Sequence, residues 1–171
     1  GSYSPSSASY RNWDGSPLKN SVTPQGVSSA ISWAKSREDT PGYGNNGCTE
    51  FVRDFIKQSG NPLADNFPMW VPDLYKASND SKIFKQASQG GKAGDIAILE
   101  TNRNPGDGPD HVVIADGSGG YFGNSSSKNR IVHGDIASDF GSDNIVGYVS
   151  TGDPDGMSST PSGTLTRSQE E

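Results

Sequence analysis

Cys48 stands in the stretch GYGNNGCTEFVRDFI, residues 42–56, and is the one thiol of the chain. A loop rich in glycine and asparagine delivers it to what reads as the first turn of a helix. There the unpaired N–H groups and the helix dipole favour negative charge, so a thiolate is stabilised and its pKa falls from about 8.5. Backbone N–H groups of the same turn can also hold an oxyanion. The competing reading is a small buried hydrophobe, which suits its place on one face with Phe51 and Phe55. His111 opens the run HVVIAD after the loop TNRNPGDGP, where an imidazole can turn towards a cleft edge. A histidine within reach of a cysteine is the base that such a nucleophile needs; alone, it reads as a surface side chain. Asn124, in YFGNSSS, lies one hairpin beyond His111. Neighbouring strands place side chains about 5 Å apart, close enough to orient a ring, although asparagine there also suits a turn. His133, in RIVHGD, is the rival orienting residue one strand further on.

The elements that must position these groups follow from periodicity. Val27, Ala30, Ile31 and Ala34 fall at i, i+3, i+4 and i+7, as do Cys48, Phe51, Val52 and Phe55, so two amphipathic helices are expected. Asn45 or Asn46 suits the cap of the second, and Gly60 with Pro62 its stop. A shorter helix is expected near VPDLYKAS, with Met69 and Trp70 just before it. From residue 93 the period changes to two. GDIAILE, HVVIAD, YFGNSS, RIVHGDI and NIVGYVS are short apolar runs separated by turn residues, which predicts an antiparallel meander of about five strands. Helices first and strands second indicate an α+β fold with the helices on the sheet. Asp95 reads as a turn residue beside its strand, and Asp110 as a turn or cleft-edge residue.

The bulk composition narrows the field. The chain has 171 residues, 30% of them hydrophobic, with 22 glycines and 11 prolines, which suits one loop-rich domain. Residues 1–22 read as an extended arm whose Gly1-Ser2 resembles a tag scar, residues 23–150 as the folded domain, and residues 151–171 as a disordered tail. A net charge of −6 argues against a nucleic-acid partner. One cysteine and two histidines, without paired ligand spacing, give no expected metal site. No run approaches the roughly 18 apolar residues of a membrane span.

GCTEFVRDFI, KAGDIAIL and DHVVIADGSGGYFGNSSS, taken together and in that order, resemble the NlpC/P60 and CHAP families of papain-like cysteine hydrolases. The likeness extends over about residues 41–150, and the order Cys before His separates it from the circularly permuted lecithin:retinol acyltransferase-like proteins. It implies the papain-like fold, with Cys48 as nucleophile, His111 as general base and Asn124 as orienting residue. Tyr43 resembles the tyrosine of the families' Y-x-x-G-G segment, whose hydroxyl faces the substrate; Trp70, with Met69, would line the cleft. Anchoring on SSS instead sets Gly123 against the histidine usual at the third position, and His133 then stays a rival. The resemblance further implies a monomeric enzyme without cofactor that cuts amide bonds in peptidoglycan stem or cross-bridge peptides, secreted, periplasmic or attached to the cell wall. If it is an antibacterial effector, an immunity protein is its expected partner. Two alternatives share these residues: a toxin-like deamidase or transglutaminase, and a non-catalytic binding module in which Cys48 is core.

Overall fold

The computed structural model describes residues 11–16, 18, 23–101 and 108–151. The expected tag scar, most of the expected arm, residues 152–171 of the expected tail and the centre of the loop before His111 lie outside them.

Helix α1, Pro24–Ser36, starts where Thr23 caps it: its hydroxyl oxygen accepts the Gly26 N–H at 2.9 Å, and Pro24 presets the first turn. Its buried face is Val27, Ala30 and Ala34, with Ile31 packed at the margin. Helix α2, Gly47–Gln58, buries Phe51, Val52, Phe55 and Ile56. Each large apolar side chain so buried contributes roughly 1.5–3 kcal/mol, so this helix is fixed by its inner face. The chain turns away at Gly60, whose φ of 78° favours a residue without Cβ. Helix α3, Val71–Asp80, buries Val71 and Leu74 and leaves Trp70, at its N-cap, in solvent. Of the segment expected as an arm, Trp13 donates its indole N–H to the Leu63 carbonyl at 2.9 Å and packs edge-on to Phe67, while Leu18 is buried in the core.

The five expected strands are all present: β2 Ile96–Leu99, β3 His111–Ala115, β4 Gly120–Ser125, β5 Arg130–Asp135 and β6 Ile145–Val149. A sixth, β1 Phe84–Gln86, precedes them. Three residues are too short for an alternating pattern to show, and β1 exists because β6 offers it a partner, Lys85 opposite Tyr148. The sheet order is β1-β6-β2-β3-β4-β5, antiparallel throughout. So β2 to β5 form the expected meander, but β6 returns to pair with β2. A short helix, α4 Ile136–Phe140, makes that return, where the run RIVHGDI was expected to remain strand. The strand stops because the Asp135 carboxylate accepts both the N–H and the hydroxyl of Ser138, each at 2.9 Å, and caps the new helix.

The helices cover one face of the sheet, where Ile96, Ile98, Val112, Ile114, Phe122 and Ile131 join their apolar faces. The other face carries a second cluster around Ala97, Leu99, Val113, Tyr121 and Val132, closed by Ile136 and Phe140 of α4. Burial on both faces explains why β2 is apolar at every position rather than alternating.

Candidate active site

Cys48 is the second residue of α2, whose start is built by the preceding loop. Asn46, at the N-cap, is left-handed with φ of 61° and makes no side-chain cap bond. Gly47 follows in close quarters: a Cβ there would lie 2.5 Å from Tyr43 Cβ and 3.0 Å from the Asn124 amide nitrogen. Only glycine fits that gap, which lets the loop fold tightly before the thiol.

The thiol meets the sheet where β3 and β4 part. Their pairing runs through Ala115 opposite Tyr121 and Ile114 opposite Phe122, whereas β4 stays paired with β5 as far as Ser125. Near that end of β3 the Val112 N–H points at Cys48, joined by the N–H groups of Thr49 and of Cys48 itself. The expectation of a lowered thiol pKa is corrected here. Burial pushes the Cys48 thiol up, and it outweighs those three N–H groups; the Asp110 carboxylate adds to the rise. The helix start therefore provides donors around the sulfur, while burial works against its charge.

Cys48, His111, Asn124 and Trp70 line one cleft of about 1040 Å³. His111 is half-buried at the start of β3, opposite Leu99 of β2, and packs against the Phe140 ring with centroids 5.4 Å apart. Asp110 beside it accepts the Thr101 N–H at 2.9 Å and the Thr101 hydroxyl at 2.8 Å, which fixes the turn into the strand. Asp95 likewise holds a turn: its buried carboxylate accepts the Gly91 and Lys92 N–H groups at 3.0 and 3.2 Å.

Asn124 is buried, and its amide is committed to the loop before Cys48. Its oxygen accepts the Tyr43 N–H at 2.6 Å and its nitrogen donates to the Gly44 carbonyl at 3.2 Å. Alternation along the strands sets Asn124 with Phe122 on the helix-covered face and His111 with Val113 on the other. Gly123 is the β4 residue on the His111 side. The Val113 side chain covers it, because a Cβ there would lie 2.7 Å from Val113 Cγ1.

His133 is placed elsewhere. It stands opposite Phe122, which stands opposite Ile114, so it is two strands and three residues from His111. That separation is roughly 14 Å at ordinary strand spacings. Its ring stacks on Phe122 at 4.2 Å, Nε2 lies 2.9 Å from Asp116 Oδ2, and Nδ1 lies 3.7 Å from Glu38. Tyr43 also turns away from the cleft. Its hydroxyl donates to Asp54 at 2.7 Å, and burial together with that carboxylate pushes its pKa up to about 12.

Sequence reasoning missed the α4 side of the cleft, formed by Ser138, Asp139 and Phe140. Asp139 accepts the Tyr121 hydroxyl at 2.6 Å, and Phe140 packs on both Tyr121 and His111. The signal was Asp135 three residues before Ser138, a cap followed by an apolar residue. Among the described residues, no group of three or more His, Cys, Asp or Glu side chains could hold a metal ion, and no helix is long and apolar enough to cross a membrane.

No protein-family model matches the sequence, and no curated protein sequence does. Solved structures do match the fold. An NLP/P60 family protein similar to lipoprotein, from Staphylococcus aureus, has a TM-score of 0.55 at 18% identity over 79% of this chain and 45% of its own. An NlpC/P60 family protein from Bacillus cereus gives 0.52 at 13%, over 80% of this chain and 42% of its own. The peptidoglycan hydrolase RipB from Mycobacterium tuberculosis gives 0.55 at 16%, over 82% and 71%. The chain thus has an NlpC/P60-type fold and spans less than half the length of the first two of these structures.

Proposed function

We propose that the chain is a cell-wall hydrolase, acting outside the cytoplasmic membrane, that cuts an amide bond in peptidoglycan peptides with Cys48 as nucleophile. One observation carries the reading: Cys48, ringed by backbone N–H groups at a helix start, shares its cleft with His111. The likeness in fold to a peptidoglycan hydrolase supports the substrate class.

Burial works against a free thiolate at Cys48, so attack is coupled to proton transfer. His111 takes the thiol proton as the S–C bond forms on the amide carbonyl. The N–H groups of Cys48 and its neighbours are donors for the resulting oxyanion. His111 then gives the proton to the leaving amine as the C–N bond breaks. A water deprotonated by His111 attacks the thioester carbonyl, the C–S bond breaks to release the carboxylic acid, and the proton held by His111 returns to the sulfur. The chemistry uses no metal or organic cofactor. Phe140 restrains the imidazole by packing, while Asn124 acts on Cys48 through the loop it clamps. Trp70, on the cleft rim beside α2, is a substrate contact; its segment is tied to the catalytic helix by the Thr49 hydroxyl, which donates to the Met69 carbonyl at 2.8 Å.

Digestion of purified peptidoglycan by the wild type, Cys48→Ala and His111→Ala, with mass spectrometry of the products, tests this. The wild type should release fragments with new amine termini, whose masses name the bond, and both variants should release none. Absence of new amine termini in the wild-type digest overturns the reading. Free ammonia without cleavage would instead mark a deamidase.

A further inference from the structure

Helix α4 is five residues long, too short to hold its own place, so what it presents to the cleft depends on its ties to the rest of the fold. Its start is tied twice: the Ile136 side chain is buried, and the Ile136 N–H donates to the Gly119 carbonyl at 3.0 Å. Near its end the Asn144 amide donates to the Phe140 carbonyl at 2.7 Å, a bond to the segment that follows rather than to the sheet. A side-chain bond to the sheet comes from Tyr121 of β4, whose hydroxyl donates to the Asp139 carboxylate at 2.6 Å. The next residue, Phe140, touches two rings: its centroid is 5.1 Å from that of Tyr121 and 5.4 Å from that of His111, tilted at 53° and 54°. Such offset contacts are the ones aromatic rings favour.

The neighbouring strand is cut back to make room for the Tyr121–Asp139 pair. Gly134 of β5 stands opposite Tyr121, and a Cβ there would lie 2.5 Å from Asp139 Oδ2 and 2.8 Å from Tyr121 Cε1. Its φ lies outside the left-handed region, so the space, and not the backbone conformation, calls for glycine. The phenol is a secure donor: burial, with the Asp139 carboxylate adding to it, pushes its pKa well above the ordinary value.

We propose that Tyr121 and Asp139 are positioning residues for the reaction: their hydrogen bond holds the end of α4 so that the Phe140 ring bears on the His111 imidazole and sets its direction. The inference rests on the reading of His111 as the base. It gives neither residue a part in the proton transfers, and it makes the aim of the base depend on a bond between β4 and the helix that follows β5.

The test pairs kinetics on a soluble stem peptide with nuclear magnetic resonance of the imidazoles in the full chain. The chain has two histidines, so histidine labelled with carbon-13 and nitrogen-15 gives two ring signals, and His133→Ala identifies that of His111. Tyr121→Phe keeps the ring that packs on Phe140 and removes the hydroxyl alone. It should displace the His111 ring-proton resonances, which respond to the neighbouring aromatic ring, and leave those of His133 in place. Its kcat should fall on the order of tenfold with KM within about twofold of the wild type, since a misdirected base slows the chemistry and not the binding. Asp139→Ala should match it, whereas Asp139→Asn, whose amide oxygen still accepts the phenol proton, should recover most of the rate and the wild-type resonances. The melting temperature of each variant checks its fold. Unmoved His111 resonances or unchanged kcat in folded Tyr121→Phe, or an Asp139→Asn no better than Asp139→Ala, would each overturn the proposal. If the wild type itself cuts no peptide, the hydrolase reading fails, and the resonances by themselves decide whether the pair places His111.

Discussion

Replacing Asn124 by alanine tests how the site is assembled, because the structure gives that side chain a job other than orienting an imidazole. The substitution removes a 2.6 Å bond from the Tyr43 N–H and a 3.2 Å bond to the Gly44 carbonyl, both at a buried position. Two neutral hydrogen bonds at about 1 kcal/mol each, with about 1 kcal/mol more for a donor left unpaired, give a loss of about 3 kcal/mol. For a domain of this size that lowers the melting temperature by roughly 10 °C. The released loop carries Cys48, and a displacement of the nucleophile on the order of 1 Å costs roughly 100-fold in rate. The assay is calorimetry together with the pH dependence of kcat/KM on a soluble stem peptide. Asn124→Ala should melt early and lose most activity, while the remaining activity keeps the wild-type pH limbs. A variant that melts within about 1 °C of the wild type but has a displaced limb would refute the reasoning and return Asn124 to the imidazole.

The raised Cys48 pKa makes a prediction about alkaline stability. The unfolded thiol ionises near 8.5 and the folded one above that, because burial opposes the charge. Above pH 8.5 the unfolded chain therefore binds fewer protons, so this contribution is present below that pH and is lost as pH climbs through the folded value. Urea midpoints at pH 7.5 and 9.5 should fall further in the wild type than in Cys48→Ala; parallel falls would contradict the burial effect. Trp70 is 65% exposed, so Trp70→Ala should leave stability within about 0.5 kcal/mol yet raise KM for peptidoglycan fragments several-fold, measured by steady-state kinetics. His133→Ala should retain full hydrolysis but unfold at higher pH during acid titration. Partial burial works against the Asp116 carboxylate, but His133 and the Ser118 and Gly120 N–H groups hold it below its usual range, and that stabilisation is lost as pH falls through the folded value. Circular dichroism against pH checks this, and an unchanged acid transition would count against it.

What the sequence by itself determined is what local pattern encodes. The apolar spacing of Val27, Ala30, Ile31 and Ala34 and of Cys48, Phe51, Val52 and Phe55 specified two helices whose faces turn to the core, Ile31 and Cys48 at its margin, because a helix repeats every 3.6 residues whatever it packs against. The β-branched runs specified five strands, and their order on the chain specified the α+β class. The candidate pair Cys48 and His111 was legible for a similar reason: each stands at the start of an element, where backbone geometry exposes a side chain to a cleft. Tertiary structure decided the rest, since it depends on partners remote in sequence. The strand β1 exists only through β6, and α4 starts where Asp135, the last residue of β5, caps it with its side chain. Whether Asn124 faces His111 or the Cys48 loop turns on the parity of one residue in β4, and parity is set by the register with β3 and β5. The direction of the Cys48 shift was decided the same way. A helix start alone favours a thiolate, but the sheet packed against Cys48 removes the water that would solvate the charge, and that loss is the larger effect.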